Sequence, residues 1–303
     1  MILLVEKFAK LYSKLENRHP HYEELSSSSL NSFQSNVSKV MGQLVLDLKQ
    51  GSEILSLSWI EGCFGLLSII HKAFEKFVVD IDYPMNKWNA VSIEGYLKYR
   101  LTLLELFNSM SSSLSHLGHA RVHLAHGLTL LEHSPSLATK HLKVIEPGGC
   151  FSTNFGEELH KEYDDKAKIF SRKEKAIHEA MKEMKGIRFW VCGVLLSGLY
   201  SDAKPCIELR KIAGGFDSSV LMTLDQKFGE HLEEKMPIMK EVKEINSVVE
   251  NLFIASDEVR HDATKELKTQ LHDFEKILDD ISKKVDDLFA NVITHRSELI
   301  DCF

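Results

Sequence analysis

Four histidines, His116, His119, His123 and His126, recur at intervals of three, four and three residues. On an α-helix that spacing gathers them within about 80° on one flank. Imidazoles so arranged can do two things. Neighbouring rings can share a divalent transition metal through neutral nitrogen, and protonation near about pH 6 would turn the flank strongly positive. Leu114, Leu117 and Leu124 lie away from this flank, and no carboxylate in the stretch completes a ligand set. A solvated polar face is therefore the expectation, ahead of a pH-sensitive contact and of a metal site, and no metal is assigned.

Other chemistry is sparse. The chain holds no nucleophile elbow, glycine-rich phosphate loop, paired-histidine zinc helix or calcium loop. The acid pairs Glu233-Glu234 and Asp279-Asp280 read as solvated helix faces. Asn36-Val37-Ser38 has the form of a glycosylation sequon, but its valine falls on an apolar stripe. Cys63, Cys150, Cys192, Cys206 and Cys302 are odd in number and lack metal or redox spacing, which suits a reducing compartment. The expectation is a non-enzyme without a cofactor.

The elements that must carry these residues are helices. Leu30, Phe33, Val37, Val40, Leu44 and Leu48 form one stripe, with a helix start in Ser26 to Ser29. A second helix, from about Glu53 to Val79, is apolar on several faces and belongs at the centre of a bundle. Asp82-Tyr83-Pro84 ends it, because proline removes a donor and pushes its predecessor out of helical geometry. A third, from about Ser92 to Glu132, repeats Leu103, Phe107, Met110, Leu114, Leu117, Leu124, Leu128 and Leu131 as a heptad seam interrupted by Arg121.

Residues 134–156, with two prolines and three glycines, read as a loop or hinge between an N-terminal half, 1–133, and a C-terminal half, 157–303, of one continuous domain. A helix from about Glu157 reaches Lys185, and Gly186 leads into the apolar run Ile187 to Tyr200. From Ile238 onward neither glycine nor proline occurs. Leu267, Leu271, Phe274, Leu278, Ile281, Val285, Leu288 and Val292 keep strict four-three spacing. An all-α fold follows: an elongated bundle of long antiparallel helices with coiled-coil-like seams, the third helix and the C-terminal segment closing on each other within the chain.

A net charge of −7 gives no general attraction to nucleic acid. The first sixteen residues carry Glu6, Lys7 and Lys10 among apolar positions and read as an amphipathic helix rather than a secretory signal, with chloroplast import a lesser alternative. Ile187 to Tyr200 is only 14 residues long and contains Arg188, whereas a membrane span needs about 20 apolar residues. A core helix is expected there; peripheral membrane contact is the alternative and is not favoured. The location expected is the cytoplasm, with endoplasmic-reticulum or other membrane association behind it.

Three stretches resemble the plant BYPASS family. They are Leu55-Ser56-Leu57-Ser58-Trp59-Ile60 followed by His71; Ile81-Asp82-Tyr83-Pro84-Met85-Asn86-Lys87-Trp88 leading into Tyr96-Leu97 and Leu103-Leu104-Glu105; and Val285-Asp286-Asp287-Leu288-Phe289 with Arg296-Ser297-Glu298-Leu299-Ile300-Asp301. The resemblance implies a regulator that restrains production of a mobile root-derived signal affecting shoot and leaf development. It also implies a link to protein partners, since a related branch is associated with the exocyst tethering complex and secretion. No catalytic residue comes with it. Trp59, Pro84 and Trp88 have structural readings as core anchor, helix stop and cover of the following helix start. The alternatives are a small-molecule binder or enzyme in synthesis of the signal, marked by a polar pocket near His71, and an exocyst-linked adaptor with peripheral membrane association.

Overall fold

Apolar residues at steps of three and four produce helices throughout, and no strand occurs among the described residues. The computed structural model describes residues 19–49, 55–131, 133–146, 148, 171–214, 219–234, 238–254 and 257–300. The expected N-terminal amphipathic helix, most of the second half of the hinge and the first part of the helix from Glu157 lie outside them. The helices are α1 (His19–Lys49), α2 (Leu57–Asp80), α3 (Ala90–Leu131), α4 (Pro135–His141), α5 (Arg172–Tyr200), α6 (Lys204–Ala213), α7 (Ser219–Glu234), α8 (Lys240–Ile254) and α9 (Asp257–Ile300), with a 3₁₀ turn at Met85–Lys87. The all-α class stands.

The centre is α5. Ser171 starts it with a capping box: its hydroxyl accepts from the Glu174 amide at 3.2 Å, and the Glu174 carboxylate accepts from the Ser171 amide at 2.9 Å. Every residue from Met184 to Leu199 is buried. The run Ile187 to Tyr200 therefore faces protein, and among the described residues no helix is long and apolar enough to cross a membrane. The helix runs through Gly186 without a break, because packing on all sides outweighs the roughly 1 kcal/mol that a helical glycine costs.

Neighbours fix the directions. The α2 helix runs antiparallel to α5, since Leu55 packs against Gly198, the Leu67 carbonyl accepts from Arg188 at 3.0 Å and the Asp82 carbonyl from Lys173 at 3.1 Å. By contrast α3 runs in the same direction as α5: Tyr99 meets Arg188 and Phe189, and farther along Tyr200 donates to the Ser109 carbonyl at 3.5 Å. The expectation of purely antiparallel neighbours is thus modified. Parallel helices cannot be joined by a tight turn, and the described part of the connection, Leu142 to Glu146, runs back alongside α3.

Antiparallel to α2, α1 sets Phe33 against Phe74 and Phe77, with ring centroids 6.4 and 5.7 Å apart. It begins at His19 rather than in the serine run, with Pro20 in the first turn, where a missing amide forfeits no helical bond. Asp225 of α7 accepts from Trp190 at 3.1 Å and from Arg210 of α6, closing another side of α5. The two heptad seams meet. All eight positions from Leu267 to Val292 are buried, as are Leu103 to Leu117, Leu124 and Leu128 on α3. Arg121, the interruption in that seam, pairs with Glu275 of α9 at 2.8 Å.

At Gly193 two helix backbones approach closely, and an added Cβ would stand 3.0 Å from the Cys206 Cα of α6; at Gly65 the same atom would meet nothing within 4 Å. Gly193→Ala is expected to destabilise the fold by about 1–3 kcal/mol, and Gly65→Ala to stabilise it by up to about 1 kcal/mol. Urea unfolding followed by circular dichroism checks both, and equal effects at the two positions would contradict this packing.

Candidate functional site

Of the family-motif residues, Leu55 and Trp59 pack on α5. Leu55, fully buried, turns the chain into α2 with a left-handed φ of 66° and lies over Gly198. Such a conformation costs a leucine about 1–3 kcal/mol and persists because the packing over-determines it. Ser56 is buried beside it; the side chains of Leu57 and Ser58 lie outside the described residues. Trp59 meets Trp190 edge to face at 6.4 Å. At the other end of α2, the chain leaves the helix through Ile81 and Asp82, and Pro84 opens the 3₁₀ turn from an exposed position. Trp88 then folds back, donating to the Tyr83 carbonyl at 2.9 Å and packing edge-on against Phe74 and Tyr96. Asn89 caps α3 by accepting from the Ser92 amide at 2.7 Å. His71 is half-buried and pairs with Glu75 one turn along its own helix, at 3.2 Å.

Three buried cations surround two tyrosines at this centre. Arg188 donates to the Tyr99 hydroxyl at 3.1 Å and to the Leu67 carbonyl, Lys185 lies 5.8 Å from the centre of the Tyr99 ring, and Arg100 stands 5.4 Å over Tyr96 while donating to the Asn291 and Val292 carbonyls of α9. Burial pushes the Tyr99 hydroxyl up to about 12 although Arg188 pulls the other way. Burial likewise raises the Cys192 and Cys206 thiols to about 12 and Cys63 further still, so all three stay protonated at neutral pH. A hydroxyl and a carbonyl hold Arg188, a ring face and two carbonyls hold Arg100, and each ties α5 or α9 to its neighbours. The sequence marked Arg188 only as an interruption of an apolar run.

The histidine flank is on the outside. His116, His119, His123 and His126 are all exposed. The hinge brings a fifth histidine to them. His141, at the end of α4, stacks on His123 with ring centroids 5.8 Å apart and meets His126 edge-on at 4.7 Å. Beyond it the chain lies along α3 as a strap: Leu142 covers Gly127, whose Cβ would stand 2.8 Å from the leucine, and the Glu146 carbonyl is 3.1 Å from His116 Nε2. Asn246 of α8 grips the strap as a second peptide group would, accepting from the Ile145 amide at 2.6 Å and donating to its carbonyl at 3.0 Å.

Partial burial lowers the His141 pKa below the usual histidine range, and His126, His123, Lys140 and Lys143 act in the same direction. Among the described residues, no three potential ligand side chains already gather round one point. Neither His141 nor Asn246 was legible as part of this arrangement, because only the folded path of the hinge sets them beside α3. His119 faces instead an open groove of about 350 Å³ between α3 and α9, lined also by Ser111, Ser115, Arg121, Glu275 and Asp279.

Fold and site together define an all-helical bundle protein whose sequence is similar to a BYPASS-type relative. Over 291 residues the chain is 23% identical to Protein BPS1, chloroplastic, of Arabidopsis thaliana, covering 90% of this chain and 82% of that protein. It is 21% identical over 296 residues to each UPF0496 protein 4 of japonica and indica rice, covering 90% of this chain but 62% of theirs. The chain thus spans less than two thirds of the rice relatives. The resemblance read from three short stretches is borne out across nine-tenths of the chain. No family model and no solved structure matches it.

Removing the grip on the strap has a measurable consequence. Asn246→Ala is expected to speed hydrogen exchange at the Ile145 amide about tenfold, the equivalent of one lost hydrogen bond of roughly 1.4 kcal/mol, while exchange in α5 stays unchanged. An unaltered rate at Ile145 would contradict the clamp.

Proposed function

We propose that this chain is a non-enzymatic developmental regulator of the BYPASS type that acts by binding another protein and restrains production of a mobile root-derived signal affecting shoot and leaf growth. The similarity to Protein BPS1 along nearly the whole chain carries the reading. The use of Leu55, Trp59 and Trp88 in packing supports it, since these motif residues maintain a shape rather than present reactive groups.

A contact face is available. Leu97 and Leu101, one turn apart on α3, are 36% and 50% exposed, and Ile293 of α9 is 44% exposed. The Arg100 bonds to Asn291 and Val292 place that stretch of α9 alongside this turn of α3. A component of the exocyst or of membrane traffic is the partner we assign, and the negative net charge argues against nucleic acid. We place the protein in the cytoplasm; the chloroplast in the printed name of the Arabidopsis relative is the competing location.

Tagged full-length protein recovered from fractionated root tissue tests both statements. The expected result is a soluble complex containing trafficking components, lost in Leu97→Glu/Leu101→Glu while helicity and Tm are unchanged. A partnerless monomer, or an unaltered complex in the double variant, would overturn the contact reading, and recovery with plastids would overturn the location. A second reading, a small-molecule binder in synthesis of the signal, would use the open α3–α9 groove beside His119 rather than a pocket near His71. On that reading native mass spectrometry finds a retained small molecule that Arg121→Ala releases, and a bare protein mass removes it.

A further inference from the structure

We propose that His123, His126 and His141 form a three-histidine site for a borderline divalent transition metal of the zinc class, which fastens α4 to α3. This inference stands apart from the proposed function, because it rests on the histidine cluster alone.

The three rings are near neighbours, although they do not already surround one point. A tetrahedral centre with metal–nitrogen bonds of about 2.0–2.1 Å sets the rings it binds about 5 Å apart, centre to centre. The His141 ring lies 4.7 Å from His126 and 5.8 Å from His123. His123 and His126 are themselves three residues apart on one helix, the spacing of neighbours on a helical face. What the rings lack is aim. His123 and His141 lie within 17° of parallel, so rotation about their side-chain bonds is needed to point nitrogens at one centre. The exposure of His123 and His126 leaves them free to make it, whereas His141 is half-buried and fixed on the second element.

Ligand type selects the metal. Three imidazoles without a carboxylate suit zinc, nickel or copper and not calcium or magnesium, which require oxygen donors. Lys140 and Lys143 flank His141 and repel a bound cation, which the nitrogen ligands must outweigh. Three protein ligands leave a fourth position for water. The neighbouring histidines do not compete: His116 is engaged with the Glu146 carbonyl, and His119 borders the groove.

Calorimetric titration of the full chain with zinc chloride, repeated with nickel and magnesium and with the cysteines kept reduced, tests the site. Zinc and nickel are expected to fill one saturable equivalent that weakens at least tenfold in His141→Ala and in His123→Ala, persists in His119→Ala and returns in His141→Cys. Zinc should also slow hydrogen exchange in α4 of the native chain and not in His141→Ala. Binding that is absent, indifferent to His141→Ala, or matched by magnesium would overturn the site, as would exchange in α4 that zinc leaves unchanged.

Discussion

A helix that is apolar on every side can exist in water only if other elements enclose it, and α5 is such a helix from Met184 to Leu199. That requirement organises the bundle. The α1–α2 hairpin covers one side, α3 another, and α6 with α7 a third, held by Asp225 between Trp190 and Arg210. Burying Arg188 in the same run is costly unless its donors are used, and the Tyr99 hydroxyl and the Leu67 carbonyl use two of them. The cation therefore sets the axial register of α5 against α2 and α3, a service that leucines, which pack in many offsets, cannot provide.

Enclosure also explains where the family motifs lie. The segment around Leu55 to Trp59 and the segment around Pro84 to Trp88 flank the two ends of α2, and both turn large side chains inward toward α5 or the aromatic cluster of Phe74, Tyr96 and Tyr99. They hold the corners of the bundle. The outer surface then presents two different chemical faces, the turn of α3 bearing Leu97 and Leu101 and the strapped histidine flank.

Periodicity made much of this legible. The seams of α3 and α9 could be read position by position, since each buried residue recurs at the spacing that a two-helix contact demands. Even the interruption at Arg121 was visible, though not its partner Glu275, because a heptad names the seam and not the charge that borders it. Direction was harder. Nothing in the α3 or α5 pattern distinguishes a parallel from an antiparallel neighbour; the register of Tyr99 on Arg188 and Ser109 on Tyr200 does. Propensity gives no reason for a glycine inside α5, but Gly193 is there so that the α6 backbone can approach. The histidine flank was half visible: four members share a helix and follow its period, while the fifth comes from an aperiodic hinge.

The seam between α3 and α9 joins segments far apart in the chain, and this bears on how the protein is made. About 135 residues separate the end of α3 from the first buried heptad position of α9, which at about 5–20 residues per second leaves the apolar stripe of α3 uncovered for roughly 7–27 s on the ribosome. During that interval α3 is a helix with half its partners unsynthesised. A holding factor, or temporary cover by α2 and the hinge, would keep it from self-association until α9 emerges.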